Sequence, residues 1–409
     1  MKNLYLQAKE IYQKLGVDTD QAIETLKRVK FSLQCWQGDD VKGFLFKDQQ
    51  LTGGIQVTGT YPYRATTPHQ LRQDISFALS LIPGKHKVNL HAIYADTDES
   101  VDLNDLEPKH FDSWVQWAKS EGVGLDFNPT CFSHDQSSSG FTLSSKDPNV
   151  HNFWIDHVKR SRVIGEYFTK SLHQKSIVNL WIPDGYKDLP YDRMAPRKRL
   201  AQALDEIYQT KHDCIDTLES KLFGIGSEAY TVGSHEFYMG YAMKNNLGLC
   251  IDSGHFHPTE SIADKIASLS PFVNHLLLHV SRPMRWDSDH VVILDDELEH
   301  IAQVLVRGEL LDKVHLGFDF FDASISRIAG WVIGARAFQS ALLKALLEPK
   351  EIIKKIEETQ DYTKRLYYQE MLKSLPYGIV FEKLLSDLNI PSQIEWYEHL
   401  KAYESKLER

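Results

Sequence analysis

The sequence predicts an α/β fold, a (β/α)8 TIM barrel with extra N-terminal helices and a helical C-terminal extension. Three observations carry that reading. Eight short apolar runs recur between residues 31 and 319, alternating with segments whose apolar residues follow the i, i+3, i+4, i+7 spacing of a helix face. Several runs are apolar at successive positions, as parallel strands covered by helices require. Finally, Asp, Glu and His gather at the ends of the runs, where a parallel barrel places its active site.

Two short helical patterns come first, through Leu4, Ala8, Ile11 and Leu15, then after Asp18 as N-cap through Ala22, Ile23 and Leu26. The run Phe31 to Trp36 is the first strand. Gly38 to Pro68 is rich in Gly, Asp and Thr, and a loop of that length in a compact domain reads as a lid over a site. A helix through Leu71, Ile75 and Leu79 leads to the second strand, Val88–Tyr94, and one through Phe111, Trp114, Val115 and Ala118 to the third, Gly124–Asn128. A Ser-rich loop and a helix through Phe153, His157, Ile164 and Phe168 precede the fourth, Ile177–Ile182. A charged loop and a helix with Leu200, Leu204 and Ile207 precede the fifth, Ile215–Leu222. The sixth is Leu247–Asp252, the seventh His275–Val280 and the eighth Val314–Asp319, with helices through Ile262, Ile266 and Leu269, and through Leu298, Ile301 and Leu305, between them. After Ser324 the chain is helical, broken at Pro349, Pro376 and Pro391. The expected division is residues 1–325 as the catalytic barrel and 326–409 as a helical extension packing on the barrel and on neighbouring subunits.

Composition narrows the function. A formal net charge of -10 argues against nucleic acid and against an anionic membrane surface. No apolar run is long enough to span a bilayer, and the amphipathic N-terminus lacks the apolar core of a signal peptide. Cys35, Cys131, Cys214 and Cys250 are scattered without a CxxC pair and read as reduced thiols of a cytoplasmic enzyme.

The stretch Leu249–His257 ends an apolar run in Asp252, His255 and His257. With Glu219, His279, Asp287, Asp289 and Asp319 it forms an oxygen- and nitrogen-rich set suited to Mn2+, Mg2+ or Co2+, and two ions sharing Asp252 would fit. Singly, a strand-end Asp is more often a helix cap or a salt-bridge partner than a ligand, and Asp287 or Asp289 alone reads as a turn residue. Together they would repel one another unless a cation compensated them, which favours the metal reading. His257 and His290 read as bystanders. Lys221, on the same strand face as Glu219, is either an ion-pair partner or a cation polarising a substrate oxygen. His91, Asn128 and Trp181 also fall at strand ends. Trp36, Phe127 and Trp181 are either core aromatics or a stacking surface for a sugar ring.

With these residues in view, the chain resembles the L-rhamnose isomerase family nearly end to end. The resemblance is carried by residues 35–40, 51–56, 89–94, 125–129, 219–226, 254–260, 279–283, 285–291 and 319–324. It implies a metal-dependent aldose–ketose isomerase, related in fold and metal arrangement to xylose isomerase, that interconverts L-rhamnose and L-rhamnulose. One metal would be held by Glu219, Asp252, His279 and Asp319, the other by His255, Asp287 and Asp289 with Asp252 between them. Lys221 would face O1 and O2 and His91 the ring oxygen, with Asp319 a third catalytic group. Trp36, Phe127 and Trp181 would line the sugar, whose 6-methyl needs an apolar wall. The resemblance further implies Mn2+ as the preferred ion, with Co2+, Mg2+ or Zn2+ as alternatives, and a cytoplasmic homotetramer. No ligand position departs from the family pattern. With every carboxylate on metal duty, hydrogen is expected to pass directly between C2 and C1 rather than through a cis-enediol. Rival readings are an isomerase of another aldose, a two-metal phosphodiesterase or nuclease, and a barrel that binds sugar without turnover.

Overall fold

Eight apolar runs become eight parallel strands: β1 Phe31–Gln34, β2 Lys87–His91, β3 Gly124–Asn128, β4 Ile177–Leu180, β5 Ile215–Glu219, β6 Gly248–Asp252, β7 Leu276–Val280 and β8 Val314–Phe318. They pair in that order, and β8 closes on β1 with Phe31 opposite Leu316. The computed structural model describes residues 2–36, 43–46, 59–224, 226–257, 259–285 and 287–409. Residues 38–42 and 47–58 of the expected lid therefore lie outside the described residues, as do Gln37, Ile225, Pro258 and Trp286. The second apolar run overshoots its strand, because Ala92–Tyr94 turn into a single 3-10 turn under the barrel mouth.

The helices follow their sequence signals closely. Asp18 caps Thr19–Arg28 by accepting from the backbone N–H groups of Asp20 and Gln21, as its position predicts. One barrel helix, His235–Asn245, has no counterpart in the sequence pattern. Its apolar residues surround the axis and only Tyr238 and Ala242 are buried, so it shows no stripe to read. Above the mouth, the short strands Gly185–Tyr186 and Tyr230–Thr231 pair antiparallel and tie the loop after β4 to the loop after β5.

The helix Arg327–Leu346 packs against Asp296–Arg307 on one side and Pro68–Ser80 on the other, closing the ring of barrel helices. The division expected after residue 325 thus cuts the barrel before its last helix. The reason is that this helix is buried nearly all round, which reads like any apolar helix of an extension. Beyond it, Pro349 and Pro376 stand at the N-caps of Lys350–Glu358 and Tyr377–Asp387, and Pro391 separates the latter from Trp396–Glu404. The tail returns to the barrel: buried Asp74 accepts from Tyr403 Oη at 2.8 Å and from Arg409 at 2.7 Å. Leu342, Phe381 and Trp396 are buried within the chain, whereas Leu366 and Tyr367 on Tyr362–Lys373 are 67% and 62% exposed. With Tyr362, Ile394 and Tyr397, which are also exposed, this pair leaves apolar surface on the tail that a second subunit can cover. Among the described residues, no helix is long and apolar enough to cross a membrane.

Candidate metal centre

The C-terminal ends of β5 to β8 converge. Glu219 ends β5, Asp252 ends β6, His279 sits one residue before the end of β7, and Asp319 follows β8. One ligand atom from each of these four lies within 4.8 Å of all the others. His279 Nδ1 is 3.3 Å from Glu219 Oε2, 3.5 Å from Asp319 Oδ2 and 3.9 Å from Asp252 Oδ2. Two glycines make room: a Cβ on Gly317 would stand 3.1 Å from the His279 ring, and one on Gly254 would stand 2.9 Å from Asp287 Oδ1.

Asp252 Oδ2, His279 Nδ1, His255 Nδ1 and Asp287 Oδ1 are buried without a hydrogen-bond partner among the described residues. Such groups are costly to bury unless something else satisfies them. Burial, reinforced by neighbouring carboxylates, pushes the Asp252 carboxyl up to about 7 and that of Asp319 up to about 6. Burial also acts to lower His279, but Glu219 and the aspartates outweigh it and lift the imidazole to about 9. Glu219 in turn is held at about 2 by His279 and His255 in spite of its own burial. Protons thus balance a cluster that a divalent cation would balance better, displacing them as it binds. The donor set fits a hard or borderline divalent ion. Cys250 reaches Glu219 and His279, but burial pushes its thiol well up, so it stays protonated beneath the site and suits no hard ion.

The second expected ligand set adjoins the first. His255 Nε2 lies 3.1 Å from Asp287 Oδ2, and its Nδ1 lies 3.5 Å from Glu219 Oε1. Asp289 has φ +44, a left-handed backbone few residues other than glycine adopt, which turns the loop back so that its carbonyl accepts from Phe321 N at 3.0 Å. Burial and the charges of Asp287, Asp319 and Asp252 drive its carboxyl well above the ordinary range. His257 and His290 bond instead to Thr259 and Ser288 of their own loops.

Lys221 faces this cluster from the loop after β5. Its Nζ donates to Pro183 O at 3.3 Å and lies 5.4 Å over the Trp181 ring. Burial lowers the ammonium to about 8, opposed by Asp184 and Asp287. His91 packs against Trp36 with ring centroids 4.1 Å apart and the planes tilted by 33°, and burial holds it near 3, so the imidazole is neutral. Its Nε2, the Asn128 Oδ1 and the Trp181 Nε1 are buried without hydrogen-bond partners among the described residues.

Phe127 corrects the sequence reading. It packs edge-on against Phe111 and Phe168 of the surrounding helices and is fully buried, so it faces those helices and not the barrel interior where the candidate site lies. The aromatic that lies beside His91 and Trp181 is Phe132, with ring centroids 6.1 Å and 5.8 Å away. It sits in the Ser-rich loop with no periodicity to mark it. Asp184 is a second residue the sequence reading passed over: its buried carboxylate accepts from the backbone N–H and hydroxyl groups of Thr142 and Ser144, fixing the loop after β3 to the loop after β4, whose Pro183 carbonyl accepts from Lys221.

A family model described as L-rhamnose isomerase matches residues 1–408. The chain is 58% identical over 403 residues to the L-rhamnose isomerase of Listeria monocytogenes serotype 4a (strain HCC23), covering 98% of this chain and 96% of that protein. It is 53% identical over 403 residues to that of Escherichia coli O7:K1 (strain IAI39 / ExPEC), with the same coverage of 98% and 96%. Among solved structures, an L-ribulose 3-epimerase aligns with a TM-score of 0.51 at 11% identity, over 78% of this chain and 95% of that one, a likeness of barrel fold alone. On the family match and these identities, the chain belongs to the L-rhamnose isomerase family.

Proposed function

We propose that the chain interconverts L-rhamnose and L-rhamnulose as a metal-dependent aldose–ketose isomerase, with Mn2+ preferred at two sites. The first would be formed by Glu219, Asp252, His279 and Asp319, the second by His255, Asp287 and Asp289 with Asp252 shared. The observation that carries the reading is the compact donor cluster at the ends of β5 to β8, in a chain of this family. Divalent cations, when bound, would polarise O1 and O2 of the sugar.

The chain supplies the rest. Lys221, braced by Pro183 O and the face of Trp181, presents a positive charge toward O1 and O2. Neutral His91 can exchange a hydrogen bond with the ring oxygen without adding charge. Trp36, Phe132 and Trp181 exclude water and offer an apolar wall to the 6-methyl. Asp319 is engaged on both sides, its Oδ1 by Trp36 and its Oδ2 facing His279, so it is poorly placed to take a proton from C2. Hydrogen should therefore pass directly between C2 and C1. Conversion of L-rhamnose in D2O, followed by NMR, is expected to yield L-rhamnulose with little deuterium at C1. Deuterium entering C1 in step with turnover would exclude the direct route, and no L-rhamnulose at all would exclude the isomerase.

The proposal includes a cytoplasmic homotetramer, supported by exposed Leu366 and Tyr367. Light scattering at micromolar concentration should give four times the chain mass. A monomer would reject it.

A further inference from the structure

In each carboxylate of the first donor set, one oxygen is already taken by a side chain from the adjacent strand. Asn179 of β4 donates from Nδ2 to Glu219 Oε2 at the end of β5, and is itself oriented by Thr217 Oγ1, which donates to its Oδ1 at 2.8 Å. Ser281, just past β7, donates from Oγ to Asp252 Oδ1 of β6 at 2.9 Å, where Gly254 N donates as well, at 2.6 Å. Trp36, just past β1, donates from Nε1 to Asp319 Oδ1, just past β8, at 2.8 Å. The three donor–acceptor pairs bridge β4 to β5, β7 to β6 and β1 to β8, all neighbours in the barrel.

The consequence is clearest at Asp252. Its Oδ1 takes two donors, while its Oδ2 is buried without a hydrogen-bond partner among the described residues and lies 3.9 Å from His279 Nδ1. At Asp319 the same split puts Oδ1 on Trp36 and Oδ2 3.5 Å from His279 Nδ1. A carboxylate pinned by one oxygen cannot rotate freely between one-oxygen and two-oxygen ligation. Pinning also removes the entropy cost of ordering the ligand when an ion arrives. Trp36 also packs against His91, with ring centroids 4.1 Å apart, so a single rigid ring ties the sugar side of the site to a metal ligand.

Glu219 differs, since the oxygen that takes Asn179 is also the one 3.3 Å from His279 Nδ1. We propose that Ser281 and Trp36 are positioning residues that hold Asp252 and Asp319 with one chosen oxygen toward the cation, and thereby set the affinity of the centre for it. This rests on the reading of the cluster as a metal centre. Outer partners of metal ligands commonly change affinity by about 10- to 100-fold.

Ser281 is the cleanest probe, because its backbone is held independently: Ser281 N donates to Ser253 Oγ at 2.7 Å, and Ser253 Oγ donates to Ser281 O at 2.7 Å. The full chain, stripped of metal, would be titrated with MnCl2 while free Mn2+ is read by its electron paramagnetic resonance signal. Ser281→Ala is expected to weaken at least one Mn2+ equilibrium by about tenfold or more, and Ser281→Thr, which keeps the hydroxyl, to restore it. Trp36→Phe, which keeps an aromatic ring and loses the N–H, should weaken binding in the same direction and serves if the serine variants fold poorly. Wild-type affinity in Ser281→Ala or in Trp36→Phe would overturn the inference, as would equal weakening in Ser281→Ala and Ser281→Thr, which would make the effect one of packing. If the wild-type chain binds no Mn2+, the metal reading falls together with it.

Discussion

Replacing Asp287 by Ala, or Asp289 by Asn, is expected to lower L-rhamnose turnover by on the order of 10^3-fold or more, since a catalytic metal contributes several kcal/mol of charge stabilisation. The barrel should still fold. Both residues lie in the loop after β7 and not in the core, and Asp287 keeps 23% of its side chain exposed. At position 289 the backbone is left-handed, a conformation Asn tolerates and Ala does not, so Asp289→Asn removes charge without adding backbone strain. Glu219→Ala offers the contrast. Glu219 is 2% exposed and carries the bond from Asn179 and the charges of His279 and His255, so its loss leaves buried groups unmatched and should cost about 3–5 kcal/mol of stability as well as activity. The check is kcat at saturating Mn2+ beside a thermal melt for each variant. Near-wild-type kcat in either loop variant would remove Asp287 or Asp289 from the second metal set.

The parts of this molecule that were legible before its structure are those that depend on local periodicity. Strand ends could be placed because apolar runs stop where a carboxylate or imidazole begins, and that is also where a parallel barrel gathers its chemistry, so Glu219, Asp252, His279 and Asp319 were legible together. Helix His235–Asn245 was not, because a helix with apolar residues on all sides and little burial has no stripe. Phe127 was misplaced although its parity was on the page: Asp126 and Asn128 flank it, side chains alternate along a strand, and if Asn128 faces the site then Phe127 faces the helices. Asn179 and Ser281 were passed over for a different reason. A neutral polar residue in or just past an apolar strand announces that it needs a partner, but which partner depends on strand pairing across the barrel, and no window of sequence contains that pairing. Thr142, Ser144 and Asp184 show the same limit, since their bonds join segments some forty residues apart.

The second large effect is metal removal, and it bears on the central claim most directly. The cluster holds four oxygen and nitrogen donors within 4.8 Å and several buried atoms without hydrogen-bond partners among the described residues, so a cation is needed for both charge balance and chemistry. Chain purified and exhaustively treated with a chelator should lose essentially all conversion of L-rhamnose to L-rhamnulose. Conversion should return on titration with Mn2+, saturating at two ions per chain by metal analysis. Undiminished conversion in the chelated, metal-free protein would contradict the account, as would full recovery with no ion retained.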